Sequence, residues 1–112
     1  MASLPVFRVT VEPLEDACVM RATGEIDMST ADHLQAQLDA ARADGVTTLL
    51  DLSGVEFIDS TGLGVLLRAA RAANEDTWAW FIVRPSSAVR KLVQFSDTAS
   101  LLPLVGPPVP RP

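Results

Sequence analysis

Cysteine occurs once in this chain, and so does histidine. A lone Cys18 excludes an internal disulfide framework and any multi-cysteine metal site. It reads as a small buried hydrophobe in a reducing compartment. A lone His33 excludes a multi-histidine metal cluster and leaves little from which to build a Ser-His-Asp triad. His33 falls on the exposed part of a helical segment, where a solvated side chain is the simplest reading. Positive charge is scarce as well. Nine Lys and Arg stand against fourteen Asp and Glu, for a net charge of −5. That balance disfavours a binder of phosphate backbones and favours protein partners. Long apolar runs are missing too. The longest, Trp78–Val83, falls far short of the roughly 20 residues that a membrane span needs. The first residues lack a basic stretch leading into a long apolar one, so the expected location is the cytoplasm. Phosphate-cradling G-x-x-x-x-G-K-[ST] is absent, and so is the G-x-S-x-G elbow. Gly62-Leu-Gly64 is a G-x-G without its third glycine, which is weak support for a nucleotide site. No cofactor and no metal is expected.

What remains is an ordinary globular composition, 48% hydrophobic and 21% charged over 112 residues. A chain of this length suits one domain and buries roughly two-thirds of its surface without staples. Phe7–Val11 alternates apolar and polar residues, as a half-buried strand does. Pro13–Asp16 supplies a turn, and Cys18–Ala22 a second strand, which makes a hairpin closed by Gly24–Asp27. Ser29 or Thr30 is placed to cap a first helix. Leu34, Leu38 and Ala41 form its apolar stripe, and Gly45 sits where a helix ends. Thr47–Leu52 reads as a central buried strand, continued by Val55, Phe57 and Ile58.

A second helix spans about Thr61 to Asn74, with Leu63, Leu66, Leu67, Ala70 and Ala73 on its apolar face. Trp78–Val83 is the next strand, and Pro85 stops it. Ser86 or Ser87 caps a third helix through Phe95, with Val89, Leu92, Val93 and Ser96 along one face. Leu101–Val105 can add a short terminal element. The order ββαβαβα implies an α/β fold: a mixed four- to five-stranded sheet, the first hairpin strand at an edge, helices mainly on one face. Leu49, Leu50, Leu52, Leu66, Leu67, Ile82 and Leu92 are the expected core. Residues 1–105 form the domain. Residues 106–112, rich in proline, are expected to be a flexible extended tail.

Most paired carboxylates, such as Glu15-Asp16 and Glu75-Asp76, sit in turns and solvate them. Glu25 and Asp27 flank Ile26 at a strand-to-helix turn. One segment concentrates polar chemistry, Leu50-Asp-Leu-Ser-Gly-Val-Glu-Phe-Ile-Asp-Ser-Thr-Gly-Leu-Gly64. A buried strand delivers the chain to Asp59, Ser60 and Thr61, and a helix leaves from them. Backbone N–H groups and a positive dipole end gather there, a place suited to a carboxylate or a phosphate. Two readings stand at this point. Asp59 or Ser60 caps the helix while Gly62 and Gly64 permit close packing, or the loop is a functional site.

Gly24-Glu-Ile-Asp27, Thr30-Ala31, Leu50-Asp-Leu-Ser53, Val55 and Phe57-Ile-Asp-Ser-Thr-Gly-Leu-Gly64 together resemble the STAS domain family. This is the sulfate-transporter and anti-sigma-factor-antagonist fold. The resemblance runs from about Val6 to Val105 and is nearest to stand-alone bacterial anti-sigma-factor antagonists. It implies a non-enzymatic protein that, unphosphorylated, binds an anti-sigma factor serine/threonine kinase and so frees a sigma factor. Phosphorylation by the kinase would release it, and a metal-dependent protein phosphatase would reset it. Matched position by position, the acceptor is Thr61, where serine is commoner in the family, with Ser60 as the alternative. The implied partner-binding residues are Asp27, Asp59, Ser60, Thr61, Gly62, Leu63 and Gly64. The alternative the resemblance leaves is a STAS subunit of a transport complex or a sensory scaffold. An enzyme is the weakest reading, because no second catalytic group can be named.

Overall fold

The structure of the protein is a computed structural model that describes residues 6–110. Strands β1 (Arg8–Pro13) and β2 (Ala17–Ile26) form the antiparallel hairpin. There follow α1 (Ala31–Ala43), β3 (Thr47–Ile58), α2 (Ser60–Asp76), β4 (Trp80–Val83) and α3 (Ser87–Ser96). A single 3-10 turn (Ala99–Leu101) and the short β5 (Leu104–Val105) complete the order. The strands lie in one sheet in the order β1-β2-β3-β4-β5. Only β1 is antiparallel; the other neighbours are parallel and joined by crossovers. The mixed α/β sheet, its five strands and the edge position of β1 agree with the sequence pattern.

Period-two alternation decides what faces the helices. Across the sheet Met20, Leu50, Ile82 and Leu104 lie in register. Met20, Leu50 and Ile82 are fully buried and share one core with Leu34 and Leu38 of α1, Leu66 of α2, and Val89 and Val93 of α3. The next row, Arg21, Asp51 and Val83, points to the opposite face, which no helix among the described residues covers. Asp51 is nonetheless buried, flanked by Arg21 at 3.8 Å and Arg84 at 3.7 Å.

Several boundaries and packing roles differ from the sequence pattern. Leu49 is not in the core. It sits one residue out of phase with Leu50, on the uncovered face beside Val19 and Phe81, and is half-buried. Leu67 and Leu92 pack at the core's margin, half-buried, while Val65 and Ala69 are buried in its interior. Strand β2 does not close at Ala22 but runs on to Ile26. Gly24 allows this with φ +95°, since a Cβ there would lie 2.9 Å from the Val6 carbonyl oxygen. Strand β4 starts at Trp80 rather than Trp78. The Trp78 indole donates to the Val46 carbonyl at 2.9 Å and stacks on Trp80 at 5.6 Å, so it seals the bottom of the core instead of extending the sheet. Past β5, Val109 is half-buried against the core and Arg90 donates to the Pro108 carbonyl at 3.5 Å. The tail expected to be free therefore touches α3 as far as it is described; residues 111 and 112 lie outside the described residues.

Candidate functional site

Pairing between β2 and β3 brings two sequence-distant loops together. The ladder slips twice, between Arg21 and Thr23 and between Gly24 and Glu25, so β3 carries extra residues as bulges do. The result is that Ile26 ends opposite Ile58. The Asp59 N–H then donates to the Ile26 carbonyl at 3.1 Å. The β2–α1 turn at Asp27 and the β3–α2 turn at Asp59 therefore share one end of the sheet.

Asp59 takes extended backbone angles as the N-cap of α2. Its Oδ1 accepts from the N–H of Thr61 at 2.9 Å and of Gly62 at 3.1 Å. Two of the helix's orphan donors are thereby satisfied by a carboxylate at the positive end of the dipole. Asp59, not Ser60, is the cap. Gly62 is buried beneath it: a Cβ there would sit 2.6 Å from Ile26 Cγ2 and 2.8 Å from Ile58 Cγ1. Glycine at this position lets the first turn of α2 lie directly on the ends of β2 and β3. Leu63 is also buried and belongs to the core. Gly64 is half-buried, and the Arg68 guanidinium lies over it.

Of the loop residues, Ser60 and Thr61 are exposed, and neither hydroxyl has a hydrogen-bond partner among the described residues. The backbone beneath them is pinned while their hydroxyls are free. That arrangement presents a nucleophilic oxygen on a rigid platform, next to N–H groups that tolerate added negative charge.

The neighbouring turn is polar and closed on itself. Asp27 Oδ1 accepts from the Ser29 N–H at 2.9 Å and the Ser29 hydroxyl at 2.7 Å. The Ser29 hydroxyl, and then the Ser29 N–H, hold the Asp27 carboxyl below its ordinary range. Thr30 occupies the N-cap position of α1, but its hydroxyl does not cap the helix. It donates to the Glu25 carbonyl at 2.8 Å and accepts from the Asp27 N–H at 2.9 Å, tying the turn to the strand end. No hydrogen bond joins Asp27 to Thr61 among the described residues.

Two exposed apolar residues flank the two turns: the sequence pattern leaves Met28 unread and takes Phe57 into the buried strand. Met28 is 81% exposed between Asp27 and Ser29, and Phe57 is 47% exposed two residues before Asp59. Beside the two turns, these side chains are candidates for contact with a protein partner. A methionine inside an otherwise polar turn was the signal available. Groups of acidic, cysteine or histidine residues able to hold a metal are absent among the described residues. No helix there is long and apolar enough to cross a membrane.

A family model described as "Mlab, STAS domain" matches residues 9–104, and the chain belongs to the STAS domain family. An anti-sigma F factor antagonist of Lysinibacillus sphaericus is 34% identical over 83 residues, covering 72% of this chain and 71% of the relative. Among solved structures, an anti-sigma factor antagonist from Mycobacterium paratuberculosis superposes with a TM-score of 0.80 at 28% identity. That match covers 91% of this chain and 87% of the other. The Bacillus cell fate determinant SpoIIAA, solved in its phosphorylated form, has the same fold. Its TM-score is 0.65 at 23% identity, over 90% of this chain and 92% of that one.

Proposed function

We propose that this chain is an anti-sigma factor antagonist switched by phosphorylation at Thr61. Unphosphorylated, it binds an anti-sigma serine/threonine kinase through the surface formed by Asp27, Met28, Phe57 and the exposed Ser60-Thr61 loop. Transfer of a phosphoryl group to the Thr61 oxygen releases it, and a protein phosphatase restores the binding form. The observation that carries this reading is the exposed, unbonded Thr61 hydroxyl on a helix start locked by Asp59 and Gly62. The names of the relatives support the same role.

The physics of release follows from the position. A phosphate adds about −1.5 to −2 charges and three acceptor oxygens. A hydroxyl tolerates desolvation in an interface, whereas a dianion does not unless a cation meets it. A loss of about 3 kcal/mol weakens binding by roughly two orders of magnitude.

Titration of the kinase with Thr61→Ala and Thr61→Glu, followed by phosphopeptide mapping after kinase and ATP, tests the assignment. The alanine variant binds constitutively, the glutamate variant binds about a hundredfold more weakly, and the phosphate maps to Thr61. Equal affinities, or phosphate on Ser60 alone, overturn it.

A further inference from the structure

Strand β1 ends the sheet, and the outer side of its backbone has no strand partner among the described residues. An open edge of this kind is a template for another strand unless charges, proline or a bulge obstruct it. Pro13 closes only the far end of β1. The remainder, Arg8-Val-Thr-Val-Glu12, is its own complement. A two-fold axis perpendicular to the sheet keeps the same face upward in both copies, so only residues of like alternation can stand opposite each other. Centred on Thr10, the register sets Arg8 opposite Glu12 and Val9 opposite Val11. Centred on Val9, it sets Glu12 opposite Val6; centred on Val11, it sets Arg8 opposite Leu14. Only the Thr10 register matches both charges.

Two features of the free surface agree with that register. Val11, on the edge strand itself, is 49% exposed. Pairing about Thr10 sets Val11 opposite Val9 of the other copy and covers it. Arg8 makes no salt bridge among the described residues. Glu12 engages Arg21 through Oε2 alone, at 2.8 Å, which leaves its second oxygen free for an Arg8 from another copy. Opposite charges and β-branched pairs directly across strands both stabilise antiparallel pairing.

We propose that two copies of this chain associate edge to edge through β1, antiparallel about Thr10, and join their sheets into one continuous sheet. A six-residue edge is too small for an obligate dimer, so the dissociation constant is on the order of micromolar. The inference stands apart from the switch at Thr61.

Sedimentation equilibrium on the full chain, with Arg8→Glu, Glu12→Arg and an equimolar mixture of the two, is the test. The wild-type chain shows a monomer–dimer equilibrium. Each single variant sets like charges opposite each other at both ends of the seam and weakens dimerisation by about tenfold or more. The mixture regains dimer, because the acidic edge of one variant meets the basic edge of the other. The doubly substituted Arg8→Glu, Glu12→Arg chain regains it too, and circular dichroism confirms that all variants fold. A monomer at every concentration, single variants that dimerise like the wild type, or a mixture no better than its components would each overturn the proposal.

Discussion

Gly62 and Gly64 stand two residues apart on α2 and respond to a methyl group in opposite ways. A Cβ on Gly62 meets Ile26 Cγ2 at 2.6 Å and Ile58 Cγ1 at 2.8 Å, both in the packed ends of β2 and β3. Nothing there can yield cheaply, so Gly62→Ala costs about 1–3 kcal/mol and lifts the Thr61 loop off its platform. A Cβ on Gly64 meets only Arg68 Nη1, at 3.2 Å, the far end of a flexible side chain. Gly64→Ala therefore gains roughly 0.5–1 kcal/mol from helix propensity. Urea denaturation of the two variants decides between these signs, and a stabilised Gly62→Ala would refute the close packing. Asp59→Ala removes the α2 cap and costs about 1 kcal/mol, which the fold survives. Its phosphorylation by the kinase should be slower than wild type; an unchanged rate would leave Asp59 a purely structural cap. Asp27 adds a pH dependence. Its folded carboxyl lies below the ordinary value of 3.8, chiefly because the Ser29 hydroxyl donates to it. Its contribution is therefore fully present above pH 3.8 and is lost as pH falls through the depressed folded value. Asp27→Asn should be less stable than wild type at neutral pH, and that gap should close in acid. A gap that persists unchanged at low pH would assign the loss to packing instead.

At the scale of elements, the apolar run of β3 shows how far local pattern reaches. Leu49 and Leu50 are indistinguishable in sequence, yet one lies half-buried on the face away from the helices and the other in the core. Leu50→Ala should cost about 2–5 kcal/mol, and Leu49→Ala well under half of that, measured by thermal unfolding. Equal losses would mean that the face opposite the helices is covered. A continuous apolar run carries no phase, and only pairing with β2 supplies it. The helices were legible because their stripes carry their own phase: Leu34 and Leu38, Leu63 and Leu66, Val89 and Val93 all point inward. Their starts were partly legible. Asp59 and Ser86 cap as polar residues before apolar stripes do, with Ser86 accepting from the Val89 N–H at 3.3 Å. Thr30 has the same sequence signature, but its hydroxyl turns back to Glu25 and Asp27, a tertiary choice that spacing cannot reveal. The candidate site was legible at Asp59–Thr61 from the strand-to-helix junction. The outward placement of Phe57 depends on the β2–β3 register, with its two slips, and so became visible only in three dimensions.

At the scale of the whole molecule, the question is whether phosphate at the proposed acceptor Thr61 would change the fold or only its surface. A conformational switch needs two arrangements separated by a few kcal/mol. Here the loop rests on Ile26, Ile58 and Gly62, and these continue without a break into the single core that also holds α1, α2 and α3. Moving the loop would open that core. The local electrostatics give no reason to move it. Added negative charge at a helix start is worth about 0.3–1 kcal/mol in favour of the helix. In a domain of this size a change of 1 kcal/mol shifts Tm by roughly 4–8 °C, so the phosphorylated chain should melt at the wild-type temperature or a few degrees above it. Amide resonances should change at Asp27–Thr30 and Phe57–Val65 and stay fixed in α3 and β5. A lowered Tm, or shifts spreading through α3 and β5, would show that phosphate acts by remodelling the domain. Changes confined to the two loops would mean that the partner alone reads the modification, through charge buried at the contact surface.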